Sequence, residues 1–198
     1  MAVKEPVQAP TPVQERYRFT RREYHALAAA GVLEEDARVE LIRGDIAVMS
    51  PINPRHASAV DRLTAVLSAA LAGRAVVRVQ SPFIVNEDTE PQPDVTLLKP
   101  RADFYAAEHP EAKDLFLAIE VADTSLRYDH EVKLPLYATA GLAEMWLLNL
   151  SENVLEVYRE PGPKGYRSLK RLSPGDQVSP LAFSDLTFSV AALLPPGA

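Results

Sequence analysis

The chain has no cysteine among its 198 residues. This absence excludes disulfide bonds, thiolate nucleophiles and zinc sites built on cysteine ligands. Metal sites with oxygen ligands are not excluded, because carboxylate and backbone carbonyl groups remain available.

Long apolar runs are also absent. None approaches the ~20 residues that a membrane-spanning helix needs. The N-terminal stretch MAVKEPVQAPTPVQER contains three prolines and no apolar core, so it lacks the composition of a signal peptide. These features predict a cytoplasmic protein that does not associate with membranes.

Basic residues are in the minority. The 27 acidic residues outnumber the 21 basic ones, which gives a formal net charge of -6. A protein that coats nucleic acid usually has a dominant basic surface, so the composition argues against that class. The composition does not exclude a local basic cleft.

The residues that are present favour one globular domain. Hydrophobic residues make up 47% of the chain, enough for a sizeable core. Residues 1–16 are rich in proline and have little to bury, which predicts a flexible N-terminal arm. Residues 17–198 then form a single domain.

Hydrophobic periodicity predicts a mixed sheet flanked by helices, an α/β (α+β) fold. The predicted elements are a helix at 20–31, a hairpin at 39–49, a helix at 56–73, strands at 75–85, 94–99 and 115–122, a helix at 130–142 despite Pro135, and strands at 144–150, 154–160 and 165–172. The strand–helix–strand unit at 115–150 is expected to make a right-handed crossover.

The strand LFLAIEVA, residues 115–122, contains a carboxylate in an apolar run. Alternation places Phe116, Ala118, Glu120 and Ala122 on one face. Stripping water from an ionised carboxylate costs several kcal/mol or more, so Glu120 needs compensation. It is a salt-bridge partner, an acid with a raised pKa or a metal ligand.

Two other residues are candidates for the same site. Asp94 begins the preceding strand, after Pro93, and two neighbouring carboxylates repel each other unless a cation lies between them. Oxygen ligands favour Mg²⁺ or Mn²⁺ over zinc. Lys133 lies on the following helix and shares a face with Asp129 and Tyr137, from which it can reach Glu120.

These residues and the segments around them resemble the motifs of a known protein family. Pro93-Asp94 followed by Glu120-Val121-Ala122 resembles the PD-(D/E)XK nuclease signature, except that Ala122 replaces the lysine. The stretches VELIRGDIAVMSP, PDVTLL and IEVADTSLRYDHEVKLPLYATAGLAEMWLLNL, with His56 opening a helix, are similar to the Uma-type restriction endonuclease family. The similarity covers about Phe19 to Leu194, and in that family the lysine has moved to the helix, which matches Lys133.

The resemblance implies a restriction-endonuclease-like core and hydrolysis of DNA phosphodiester bonds. Asp94 and Glu120 would hold Mg²⁺ or Mn²⁺, helped by the Val121 carbonyl group. Lys133 would act on the attacking water or the transition state, and Glu40 would be an extra acidic contributor.

Other residues have supporting roles in this interpretation. Asp129 would position Lys133, and His56 would be a peripheral polar residue. Cutting both strands of DNA usually needs two sites, so a homodimer is expected. Its basic cleft would include Arg127 and Arg78 together with Lys133.

Alternatives remain open at this stage. Ala122 at the usual lysine position favours a catalytically silent binding or scaffold module that keeps the fold. The same metal site could also act on a small phosphoester instead of DNA. Taken singly, Asp94 can be a turn residue, Glu40 a cross-strand partner, Lys133 a solvated side chain and His56 a helix-start residue.

Overall fold

The computed structural model describes residues 16–34 and 36–196. The arm predicted for residues 1–16 lies outside these ranges except for Arg16. Within the described part of the chain, no helix is both long enough and apolar enough to cross a membrane.

In the described ranges, ten strands form one large sheet and two small ones. The strands are β1 Val39–Ile42, β2 Asp45–Val48, β3 Val76–Val79, β4 Val95–Leu98, β5 Leu115–Ala122, β6 Glu144–Asn149, β7 Val154–Gly162, β8 Gly165–Leu172, β9 Gln177–Val178 and β10 Phe188–Ser189. The six-stranded sheet has the order β3-β4-β5-β6-β7-β8, while β1 pairs with β2 and β9 with β10. This mixed sheet confirms the predicted fold class.

Helices precede, separate and follow these strands. They are α1 Arg21–Ala29, α2 Pro54–Ala70, α3 Leu126–Tyr128, a π-helical turn Asp129–Lys133, α4 Leu134–Thr139 and α5 Val190–Leu193, with 3₁₀ turns at Ala112–Asp114 and Leu181–Phe183. β5 and β6 are parallel, as expected of strands joined by a helical crossover, and the remaining pairs in the large sheet are antiparallel.

The sheet separates two hydrophobic clusters. The long helix α2 buries Ala59, Val60, Leu63 and Leu67 in the cluster that includes Ile119 and Trp146. The segment from α3 to α4 contributes to the other cluster, which includes Ala118 and Ala122. The β5 strand is therefore buried on both faces, and this explains its nearly continuous apolar sequence.

One prediction for the face of a side chain was wrong. Leu97 pairs with Leu117 but Leu98 pairs with Leu115, so a bulge interrupts the alternation at Phe116. Phe116 consequently packs with the cluster beneath α2, where its ring lies 5.0 Å from that of Phe183. It does not share the face of Ala118 and Ala122, which stay together as predicted.

The predicted helix at 130–142 begins earlier and is not uniform. It starts at Leu126, passes through the π-helical turn and ends at Thr139. Pro135 is the second residue of α4, directly after the π-helical turn. The hydrogen-bonding pattern of the helix therefore changes next to the proline, whose missing N–H group cannot continue it.

Candidate active site

The register of β4 and β5 brings the two predicted carboxylates together. Val95 pairs with Ile119, so Asp94 lies beside the end of β5 that carries Glu120. The Asp94 carboxylate accepts a hydrogen bond from the Val121 N–H group at 2.9 Å. Asp94 is 6% exposed and Glu120 2% exposed, which is unusual for carboxylates.

Lys133 reaches the same place from the helical crossover. Its Nζ atom lies 3.2 Å from Glu120 Oε1 and 3.4 Å from Glu40 Oε2. All three side chains are buried. Lys133 therefore brings an ammonium group to Glu120 although Ala122 occupies the usual lysine position, and Glu40 joins the cluster from β1.

The π-helical turn sets the direction of two further groups. It begins at Asp129 and ends at Lys133, and both side chains are buried. The Asp129 carboxylate accepts a hydrogen bond from the Ser125 hydroxyl at 2.7 Å. Such turns are rare and often occur at functional sites, because the extra residue redirects the side chains on either side.

The first turn of α2 contributes His56. Asn53 caps this helix by accepting a hydrogen bond from the His56 N–H group at 3.0 Å, and Pro54 follows at the first helical position. The His56 Nε2 atom lies 3.2 Å from the Asp94 carboxylate. His56 thus contacts Asp94 directly.

These side chains line one pocket. Carboxylates outnumber cations on its wall. The carboxylates are those of Glu40, Asp94, Glu120, Asp123 and Asp129, and the lysine and arginine cations are Lys133 and Arg38. A surplus of negative charge in a partly enclosed space favours a bound cation.

The pKa values of the buried groups in the pocket are shifted. Burial raises the pKa of Glu120 well above its ordinary value, although Lys133 opposes the change. Burial likewise raises the pKa of Asp129. Burial alone would lower the pKa of Lys133, but Glu120 and Glu40 together raise it. For Asp94, burial is outweighed by the His56 hydrogen bond and nearby positive charge, and the pKa falls. The lysine is therefore charged and does not fully compensate the acids.

The two arginines predicted to bind nucleic acid lie outside the pocket. Arg127 is 87% exposed and pairs with Glu131, one turn along the helix. Arg78 donates a hydrogen bond to the Phe104 carbonyl group and lies over the Tyr105 ring. Lys133 is buried in the pocket and the two arginines lie outside it, while the basic cleft predicted across a dimer stays a prediction.

Some contacts at the site had no signal in the sequence. Gln92 donates its backbone N–H group to Glu40 Oε2 at 3.0 Å, and the Gln80 side chain donates to Asp94 at 3.3 Å. Tyr137 donates its hydroxyl group to Glu120 at 2.5 Å. Sequence analysis placed Tyr137 on the face shared with Lys133 but assigned it no role.

The six-stranded mixed sheet flanked by helices is also found in a solved structure. A crystal structure of "a putative nuclease belonging to DUF820" from Anabaena variabilis ATCC 29413 has a similar fold, with a TM-score of 0.71 and 19% sequence identity, over 88% of this chain and 97% of that one. The chain belongs to the Uma2 family, described as "Putative restriction endonuclease", whose model matches residues 21–191. A comparison with curated proteins found no match.

Proposed function

We propose that the protein is an Mg²⁺- or Mn²⁺-dependent endonuclease that hydrolyses DNA phosphodiester bonds. The observation that carries this proposal is the convergence of Asp94, Glu120 and Lys133 in one acidic pocket. The three residues come from separate segments, and isolated structural ion pairs do not require such a surplus of carboxylates. Membership of the family described as "Putative restriction endonuclease" supports DNA as the substrate.

The donor atoms of the pocket fit a hard divalent cation. Asp94 and Glu120, with the Val121 carbonyl group, would hold it. Mg²⁺ commonly binds through one or two carboxylates and keeps several waters. Among the residues that the structure describes, no group of three or more His, Asp or Glu side chains is arranged to hold a metal ion, so waters would have to complete the coordination. When bound, the metal would supply Lewis-acid activation of water and of the phosphate.

The remaining groups would orient the reactants. The Lys133 ammonium group would hold the attacking water or neutralise charge that develops on a phosphate oxygen. Glu40 restrains Lys133 through its 3.4 Å contact. Asp129 adds negative charge that favours the ammonium form of Lys133. His56 would hold Asp94 in place through its ring nitrogen.

Contacts with DNA outside the pocket belong to the same proposal. Cleavage of both strands needs two sites, so we propose a homodimer. Arg127 and Arg78 would then contact the phosphate backbone on either side of the cut, where exposed guanidinium groups contribute affinity that depends on salt. The pocket itself is too acidic to attract a phosphate before a metal is bound.

The main alternative is a scaffold that has lost its chemistry. Its support was the alanine at position 122. The contact between Lys133 and Glu120 weighs against it, because the ammonium group that a lysine at 122 would supply is present from another segment. We therefore favour an active enzyme.

The direct test is cleavage of DNA by the full chain. We expect supercoiled plasmid, linear duplex or single-stranded DNA to be cut with Mn²⁺ or Mg²⁺ and to remain intact with EDTA. Gel electrophoresis and product sequencing are the measurements. Bis(p-nitrophenyl) phosphate, tested in parallel, identifies a small-phosphoester hydrolase if it alone is hydrolysed. If Mn²⁺ binds but neither class of substrate reacts across DNAs of varied sequence, that result favours the scaffold alternative.

A further inference from the structure

Glu120 has a second buried partner besides Lys133. The Tyr137 hydroxyl group donates a hydrogen bond to Glu120 Oε1 at 2.5 Å. Lys133 Nζ approaches the same oxygen, at 3.2 Å. Both tyrosine and glutamate are almost completely buried. Tyr137 and Lys133 therefore contact the same carboxylate oxygen of Glu120, Oε1.

The other oxygen of Glu120 is left for the pocket. Oε1 is the oxygen that accepts the Tyr137 hydrogen bond and makes the 3.2 Å contact with Lys133 Nζ. Glu120 also lines the pocket. Because the tyrosine engages Oε1, Oε2 is the oxygen available to a cation or water in the pocket.

The position of Tyr137 is fixed by its surroundings. It lies on α4, four residues after Lys133, so the two side chains project from the same helical face. Its ring is fully buried and packs against the ring of Phe83, with centroids 5.4 Å apart. A ring held in this way gives its hydroxyl group a single direction. By contrast, the terminal torsion of a glutamate is broad and needs an external restraint.

We propose that Tyr137 is a positioning residue for the metal site. Its hydroxyl group fixes the Glu120 carboxylate by one oxygen, so that Oε2 is directed towards the cation. The inference rests on the proposed function, because it assumes that Glu120 is a metal ligand. Hydrogen bonds that orient a ligand in this way typically change metal affinity by about 10- to 100-fold.

A purely structural role makes a different prediction. If the hydroxyl group only satisfies a buried acceptor, its removal lowers stability and leaves metal affinity unchanged. Tyr105 provides the matched control, because it is also a buried tyrosine and its hydroxyl group donates to the Lys99 carbonyl group at 2.7 Å. Tyr105 does not line the pocket.

The experiment is calorimetric titration of Mn²⁺ into the wild type, Tyr137→Phe and Tyr105→Phe. We expect Tyr137→Phe to bind Mn²⁺ about 10-fold more weakly or worse, and Tyr105→Phe to bind like the wild type. Thermal unfolding with and without Mn²⁺ is the second readout: the rise in Tm caused by the metal should shrink in Tyr137→Phe alone, whatever its Tm without metal.

Three outcomes distinguish the positioning role of Tyr137 from the proposed function on which it rests. Weaker binding confined to Tyr137→Phe supports the positioning role. Equal affinity in the wild type and Tyr137→Phe overturns that role and leaves the metal site intact. Absence of Mn²⁺ binding to the wild type overturns the proposed function, and the positioning role with it.

Discussion

Asp94→Asn is expected to reduce DNA cleavage by about 10³-fold, the effect of removing one strong electrostatic contact from a preorganised site. Asparagine has the same shape and keeps an oxygen that can accept the Val121 N–H group, so the fold should persist. The variant side chain lacks the negative charge that a hard cation requires of its ligand. The measurement is single-turnover cleavage at saturating protein, with Mn²⁺ and Mg²⁺ compared.

Asp123→Asn is the matched control for this variant. Asp123 lines the same pocket and accepts a hydrogen bond from the Asn53 side chain at 2.6 Å, so its substitution also removes one carboxylate from the wall. We expect its cleavage rate to stay close to that of the wild type. Equal losses in the two variants would mean that the total charge of the pocket matters and that Asp94 has no particular role as a ligand.

Lys133→Met is expected to separate catalysis from metal binding. Cleavage should fall by about 10²- to 10³-fold, because the transition state loses an ammonium group. Mn²⁺ should bind at least as tightly as in the wild type, because the lysine charge that competes for Glu120 is gone. Metal-free stability should fall by about 3–5 kcal/mol, since Glu120 and Glu40 lose a buried partner.

Binding of the metal should restore much of that stability. The rise in Tm on adding Mn²⁺ is therefore expected to be larger in Lys133→Met than in the wild type. Lys133→Arg keeps the charge and should retain metal-free stability better than Lys133→Met. Cleavage at the wild-type rate by Lys133→Met would rule out a role for this lysine, and loss of Mn²⁺ binding would show that it is needed to assemble the carboxylates.

Much of the fold could be predicted because each long element has one clear pattern. The α2 helix has apolar residues at every third or fourth position, and all of the core positions Val60, Leu63 and Leu67 are buried. The hairpin β1-β2 was indicated by Arg43-Gly44, which both adopt positive φ, as a tight turn between antiparallel strands requires. The burial of Trp146 could also be predicted, because this residue lies in an apolar strand.

The places where the structure departs from the predicted strand and helix patterns depend on tertiary contacts. The bulge at Phe116 exists because β4 and β5 shift register between Leu97 and Leu98, which no property of the β5 sequence reveals. The π-helical turn at 129–133 is held where Asp129 and Lys133 are both buried in the pocket. A helix pattern read from the sequence assumes a constant period and cannot register one extra residue.

The candidate site likewise contains residues that a sequence pattern indicates and contacts that only the folded structure shows. Glu120 could be singled out because a carboxylate in an apolar strand needs compensation, and Asp94 and Lys133 followed from topology and resemblance. The contact of His56 with Asp94 joins residues 38 positions apart, and the Tyr137 contact requires the rotamers of two buried side chains. Their roles, like those of the carboxylates, stay predictions until metal binding is measured.

Calorimetric titration of Mn²⁺ into the wild type and Glu120→Gln tests the central claim most directly. It needs no knowledge of the DNA sequence that the enzyme cuts. The account predicts that the wild type binds Mn²⁺ and that Glu120→Gln, which keeps the shape but not the charge, does not. Absence of binding to the wild type, or equal binding to both proteins, would contradict the claim that Glu120 is buried in β5 to hold a divalent cation.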